Sequence, residues 1–266
     1  MSIGGDNVTV AIAVVVAVFL VGQIYFFSAE ARYNQNRFGG RGLLKALFVG
    51  GAPLKAGQPA PTSSLYSLRE DRWVPAESLW SSRPIVVESG SITCPIFTGQ
   101  CDAMHSLAQQ YVDRADFYVL YTREAHPASN YPANENFEQK MRHAADFDSL
   151  DSPNREILID DIDGSFHLPL GGYPDGLAII GTDGVIAFRA DWNDPSDTAV
   201  ELDELLKNGG TTAGYESFRD VPLGLATPGP EQASELKRVF VRAGWKAFVD
   251  MALSMPAMAA SMLSRR

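Results

Sequence analysis

The sequence predicts an α/β fold: a mixed sheet with flanking helices, preceded by one N-terminal transmembrane helix and followed by one C-terminal amphipathic helix. Three observations carry this. Between about Leu65 and Asn208, short apolar β-branched runs alternate with stretches of helical spacing. Val8 to Phe27 contains no charged side chain, and about twenty such residues make roughly 30 Å of helix, the thickness of a bilayer core. Beyond Pro230, apolar residues recur at Leu236, Phe240, Ala243, Ala247, Met251 and Met255, which is helical periodicity.

Composition bounds the function. The chain has 266 residues, 45% hydrophobic and 20% charged, which excludes wholesale disorder, collagen and coiled coil. Its 22 Lys+Arg against 32 Asp+Glu leave a net charge of −10, which argues against nucleic acid as a partner. Two cysteines, Cys94 and Cys101, are too few for a disulfide scaffold. With His105, His126, His143 and His167 they form no zinc spacing, so no metal is expected.

The chain divides into residues 1–27 (tail and transmembrane helix), 28–64 (juxtamembrane linker), 65–210 (catalytic domain), 211–230 (linker) and 231–266 (amphipathic helix). The span lacks the basic n-region of a signal peptide, although Ala29-Glu30-Ala31 matches an A-x-A cleavage pattern. Arg32, Arg37, Arg41 and Lys45 follow the span and no Lys or Arg precedes it. The positive-inside rule then makes the protein single-pass with its soluble domain cytoplasmic. Gly39, Gly40, Gly42, Gly50, Gly51, Pro53, Pro59 and Pro61 mark the linker. The last helix carries Lys237, Arg238, Arg242 and Lys246. It suits packing on the domain or lying on anionic membrane lipid.

Within the domain, Leu65 to Leu68 and Trp73-Val74 form a small hairpin. Pro84 to Glu88 reads as a buried strand and Pro95 to Val112 as a helix. Asp116 to Tyr121 is a second core strand, Asn134 to Phe147 a helix, and Glu156 to Ile159 a third strand. Leu177 to Ile180 and Val185 to Phe188 flank Gly181-Thr182-Asp183-Gly184, a hairpin signal. Thr198 to Lys207 closes the domain, stopped by Gly209-Gly210. Crossover helices require parallel pairing in the first half, and the hairpin adds antiparallel strands. A mixed sheet with helices on both faces, ending in hairpin and helix, is the thioredoxin-like arrangement.

The chemistry centres on Gly90-Ser91-Ile92-Thr93-Cys94-Pro95, between the first core strand and its helix. Backbone N–H groups at a helix N-terminus stabilise a thiolate and lower its pKa. Thr93 is placed to donate a further hydrogen bond to the sulfur, and Pro95 suits the first helical turn. Cys94 is thus a candidate nucleophile, against the alternative of an inert buried cysteine. Cys101 lies seven residues on, two turns along a continuous helix. That is roughly 10 Å of rise, too far for a disulfide unless the first turns melt. Cys101 is either a resolving thiol or a core residue. Glu124-Ala125-His126-Pro127 follows the second core strand, and strand C-termini line the site of a parallel sheet. His126 is a candidate acid–base or substrate-binding group, with Glu124 to orient it. Pro174 precedes the antiparallel strand, where thioredoxin folds place a cis-proline facing the cysteine.

These residues resemble the iodothyronine deiodinase family. The family reads strand, Gly-Ser-Cys-Thr-selenocysteine-Pro, helix; here Gly90 to Pro95 stands in that place. Its second strand is followed by Glu-Ala-His-Pro, as at Glu124 to Pro127. Ile157-Leu158-Ile159-Asp160 and Tyr173-Pro174-Asp175-Gly176-Leu177 match its later strand and hairpin entry. The resemblance covers roughly residues 57–207. The selenocysteine position is Cys94, and the family's cysteine two places earlier is Ile92. The family's His-Arg-Ser segment has no counterpart in Asn134 to Phe147.

The resemblance implies a membrane-anchored thiol-dependent oxidoreductase performing reductive dehalogenation. It implies no bound cofactor, and it implies an external thiol reductant such as thioredoxin or glutathione. Its substrate would be a small halogenated aromatic, and it allows a homodimer. Two other functions fit the residues. One is a peroxiredoxin-like thiol peroxidase, with peroxide as substrate and Cys94 oxidised to a sulfenic acid. The other is a non-enzymatic thioredoxin-like binding module with an unreactive Cys94.

Overall fold

The structure is a computed structural model that describes residues 16, 17, 20, 24, 33–36, 54–221, 230–247, 249, 250 and 252. Runs that are apolar on both sides demand cover on both faces, and they form the centre of the sheet. Strands β3 (Ile85–Gly90), β4 (Asp116–Tyr121) and β5 (Glu156–Ile159) are parallel. β6 (Leu177–Ile180) runs antiparallel to β3, and β7 (Ile186–Ala190) returns beside it. The hairpin β1 (Leu65–Ser67) and β2 (Arg72–Val74) extends the β5 edge. β8 (Arg219–Val221) extends the β7 edge. The eight-stranded order is β2-β1-β5-β4-β3-β6-β7-β8.

Helix α1 (Pro95–Gln110) crosses from β3 to β4, and α2 (Phe137–Asp151) crosses from β4 to β5. α3 (Pro195–Lys207) follows β7. Asn136 caps α2 by accepting from the Gln139 N–H, and Asp194 caps α3 by accepting from Ser196 and Asp197.

The expected helices on both faces are corrected by the packing. Val86, Ile179, Met104, Leu107, Leu202 and Leu205 form one cluster; Val119, Tyr121, Phe97, Ala144 and Phe147 form its neighbour. All three helices therefore lie on one face. Two right-handed crossovers stepping the same way along a sheet put their helices on the same side. Ile85, Val87, Leu120 and Ala178 point to the opposite face, covered by Ala60, Ala76, Trp80 and Phe166.

The linkers are partly structured. Pro59 bridges Val185, and Gly57 donates its N–H to Ile186. β8 lies in the stretch read as the second linker. The transmembrane reading falls mostly outside the described residues. Within that stretch Val16, Ala17, Leu20 and Ile24 are helical and exposed. No helix among the described residues is long and apolar enough to cross a membrane. Helix α4 (Pro230–Ala243) packs on the domain, with Phe240, Ala243 and Ala247 against Ala128. Arg238 and Arg242 both pair with Asp151.

A buried polar layer crosses the sheet beneath α1. Glu88 accepts from Arg155 Nη1 at 2.6 Å and from Asn193 Nδ2 at 2.7 Å. Removing one partner of a buried pair strands the other charge. Arg155→Met is expected to cost about 3–5 kcal/mol, read as a lower midpoint in denaturant.

Candidate active site

The site forms where β3 and β4 end side by side. Gly90 closes β3 because the Phe97 ring fills the place of a side chain: a Cβ there would lie 2.3 Å from it. Ser91 to Cys94 then turn into α1. Cys94 takes the N-cap position with extended backbone, and Pro95 opens the helix as expected.

Cys94 is only 2% exposed. Here the structure corrects the expected depressed pKa. Burial and the neighbouring Asp175 push the thiol up, while the backbone N–H groups of Phe97 and Ile96 pull it down. The helix terminus acts in the expected direction, and desolvation outweighs it. Burial at this position favours the protonated thiol over the thiolate.

Thr93 does not serve the sulfur as expected. Its hydroxyl donates to Glu124 Oε2 at 2.6 Å and accepts the His126 N–H at 3.2 Å. Glu124 is the hub of the site. Its Oε1 also accepts the Tyr121 hydroxyl at 2.7 Å and meets His143 Nδ1 at 3.1 Å. Tyr121 in turn accepts the Ile92 N–H at 3.3 Å, and Ser91 accepts the Ala125 N–H at 3.1 Å. These bonds stitch the Cys94 loop to the loop after β4. Glu124 thus orients His143 rather than the expected His126.

His126 is buried with its ring edge-on to Phe240 of α4, centroids 5.6 Å apart. Burial lowers its pKa to about 4, so at neutral pH it is an uncharged imidazole. Between pH 6.5 and 4 the unfolded chain takes up a proton that folded His126 refuses. Its contribution to stability therefore falls with pH through that window, by about 3 kcal/mol. A His126→Asn protein is expected to lose that share of the acid limb in denaturant titrations at pH 7 and pH 4.

Asp175 lies on the other flank of Cys94. It is fully buried, and desolvation with nearby Glu88 holds its carboxyl well above the usual range. Its Oδ2 accepts from Gln100 Nε2 at 3.3 Å. The turn bearing it is pinned by Ser89, which donates to the Tyr173 carbonyl at 2.8 Å and accepts the Gly176 N–H at 2.9 Å. Pro174 sits in this turn, the position where thioredoxin folds place a cis-proline, and its peptide bond is trans. Cys101 is buried on the same helix as Cys94, its Sγ 3.5 Å from the Phe97 carbonyl. Both thiols are free. Among the described residues no His, Cys, Asp and Glu group could hold a metal.

Tyr121, His143 and Asp175 were not legible as site residues. Tyr121 ends an apolar strand, and His143 sits in mid-helix. Their one signal is Tyr121 three residues before Glu124, across the strand end.

A cysteine at the N-terminus of the helix after the central strand, on a mixed sheet closed by an antiparallel hairpin and a helix, defines a thioredoxin-like thiol protein. Within that class, the chain belongs to the iodothyronine deiodinase family, whose model matches residues 51–190. A thyroxine 5-deiodinase of Sparus aurata is 28% identical over 140 residues, covering 49% of this chain and 52% of the relative. That of Gallus gallus is 27% identical over 134 residues, covering 47% and 52%. The chain spans about half the length of these curated relatives. Among solved structures, an uncharacterized conserved protein from Geobacillus kaustophilus superposes with a TM-score of 0.49 at 14% identity, over 65% of this chain and 94% of that one.

Proposed function

We propose that the protein is a membrane-anchored, thiol-dependent oxidoreductase that removes halogen from an aromatic carbon. The observation that carries this reading is the hydrogen-bonded chain Thr93–Glu124–Tyr121/His143 beside Cys94. It joins a soft nucleophile to groups able to hold and move a proton. Family membership supports the same chemistry.

In the proposed reaction Cys94 gives up its proton and attacks the halogen. The carbon–halogen bond breaks, a sulfur–halogen bond forms, and the electron pair stays on carbon. A proton delivered through the Glu124–His143 pair completes the reduced arene. An external thiol such as thioredoxin or glutathione attacks the sulfenyl halide, releasing halide and a proton and leaving a mixed disulfide. A second thiol then restores Cys94 and leaves the oxidised reductant. The sum is aryl halide and two thiols giving arene, disulfide, halide and a proton. Neutral His126 holds a polar group of the substrate.

Cys101 is assigned to the core, because an unbroken helix keeps it two turns from Cys94. Cys101→Ala is expected to keep turnover with external thiol within about threefold, within the factor-of-ten equivalent of 1.4 kcal/mol. Loss of turnover with a Cys94–Cys101 disulfide in the wild type would reassign it as the resolving thiol. Residues 8–27 are assigned as the anchor, with the domain on the cytoplasmic side.

A second reading is favoured by the burial of Cys94 and its raised pKa: a binding module with an inert thiol. The two separate by iodide release from an iodinated phenol with dithiothreitol. Release that depends on Cys94 supports the enzyme. Absence of release, with Cys94 unalkylated at neutral pH in the presence of the phenol, supports the module.

A further inference from the structure

Tyr33 and Asn34 stand outside the domain in sequence and are held against it in space. The Tyr33 carbonyl accepts from Arg123 Nη1 at 2.9 Å, and its hydroxyl meets His167 Nδ1 at 3.0 Å. Asn34 Nδ2 donates to the Ile162 carbonyl at 2.7 Å. The place is shaped for an aromatic ring. A Cβ on Gly164 would lie 2.5 Å from the Tyr33 ring. The Arg123 guanidinium and Lys140 Nζ lie 5.3 Å and 5.5 Å from the ring centre, within cation–π range.

Both polar ends of Tyr33 lead to one stretch of backbone. Arg123 Nη2 donates to the Gly172 carbonyl at 3.1 Å. His167 Nε2 meets the next carbonyl, that of Tyr173, at 2.7 Å. A carbonyl can only accept, so Nε2 carries the ring proton. Burial lowers the His167 pKa to about 3, so the ring is neutral and Nδ1 accepts from the Tyr33 hydroxyl. Ser89 donates to the same Tyr173 carbonyl from the sheet side, and His167 sets it from outside.

These carbonyls enter the turn that sets Asp175 beside Cys94. Asp175 is placed mainly by its backbone: Oδ2 accepts from Gln100 across 3.3 Å, and Oδ1 has no partner among the described residues. The Asn193 N–H donates to the Asp175 carbonyl and the Ser89 N–H to that of Gly176, each at 2.8 Å, so the outgoing half is fixed. The incoming half is looser. Gly171 and Gly172 have φ of +114° and +68°, left-handed values that glycine adopts freely. A small cavity bordered by Ser89, His167, Leu170 and Tyr173 lies against it. This half therefore has a hinge and room to shift.

We infer that Tyr33 is a positioning residue: it clamps the Tyr173–Gly176 turn against Cys94, and release of the clamp opens the thiol to solvent. Docking of residues 33–34 thereby governs how far Cys94 is exposed. The role of that thiol in turnover rests on the proposed function.

The test follows alkylation of both cysteines by iodoacetamide at neutral pH, in the full chain in detergent, read separately by peptide mass spectrometry. Tyr33→Phe keeps the ring and removes the hydroxyl. Its Cys94 is expected to react about threefold to tenfold faster than in the wild type, the factor of one hydrogen bond, with Cys101 unchanged. Tyr33→Ala is expected to be faster still. There p-cresol, the tyrosine side chain as a free molecule, should restore slow alkylation, and toluene should bring it no further than Tyr33→Phe. Equal acceleration of Cys94 and Cys101 would report general loss of stability and overturn the clamp. An unchanged Cys94 rate in both variants would also overturn it, as would p-cresol slowing the wild type as much as Tyr33→Ala. Iodide release from an iodinated phenol is read on the same proteins. Its absence alongside selective acceleration of Cys94 would strike the proposed reaction and leave the clamp standing.

Discussion

A Cys94→Ser protein is expected to fold normally and to lose dehalogenation to the uncatalysed background, a fall of at least about 10³-fold. Sulfur is a soft, polarizable nucleophile that accepts a halogen, and a serine hydroxyl is neither soft nor ionised at neutral pH. The fold should tolerate the change, because residue 94 is the N-cap of α1 and serine is among the better N-cap residues. Far-UV circular dichroism and the thermal midpoint check the fold, and halide release checks the activity. Full activity in this variant would remove Cys94 from the chemistry.

Glu124→Gln is expected to damage stability and turnover together. The carboxylate accepts from Thr93 and Tyr121 and meets His143, all inside the protein. An amide offers one acceptor oxygen and turns an NH₂ toward groups that are already donors. At least one buried donor then goes unpaired, at about 2–3 kcal/mol. Loss of the shared proton should lower kcat by about 10²–10⁴-fold, the usual worth of general acid–base catalysis. A double-mutant cycle with His143→Asn separates the two roles. If the pair acts as a unit, the double variant is no slower than Glu124→Gln alone. Wild-type turnover in Glu124→Gln would reduce the network to a structural clasp.

The strands whose boundaries were readable are those whose residues had no alternative. Asp116–Tyr121, Glu156–Ile159 and Leu177–Ile180 end where they were expected to end, because apolar runs bounded by turn residues and charges carry their own limits. β8 was invisible. Arg219-Asp220-Val221 has no strand pattern, and it pairs only because β7 leaves an open edge beside it. The placement of Cys94 at a helix N-terminus was legible from the order strand, turn, Cys-Pro. The direction of its pKa was not, because periodicity does not report depth or bring Asp175 alongside. Thr93 and Glu124 each stand in a motif legible on its own, yet their bond spans two loops, and His143 enters from a third element. Local signals named the parts of the site; only the register of β3 on β4, with Gly90 opposite Tyr121, shows how they meet.

The burial of Cys94 has a functional consequence. In the proposed reaction a thiol at 2% exposure would meet substrate only once the surrounding loops part, and such an opening would readmit the solvation that favours its ionised form. The helix N–H groups then act without the opposing term. Under that proposal substrate binding and thiol activation would be one event, protecting the nucleophile from stray oxidants between turnovers.

The central claim is that Cys94 takes the halogen from the substrate. The most direct measurement is a single turnover of the full chain with an iodinated phenol and no reductant, quenched with a thiol-trapping reagent and resolved by peptide mass spectrometry. The expected result is up to one equivalent of deiodinated phenol per chain, with Cys94 lost from the free-thiol pool in the same proportion and Cys101 unchanged. Deiodinated phenol formed while Cys94 remains a free thiol would contradict it.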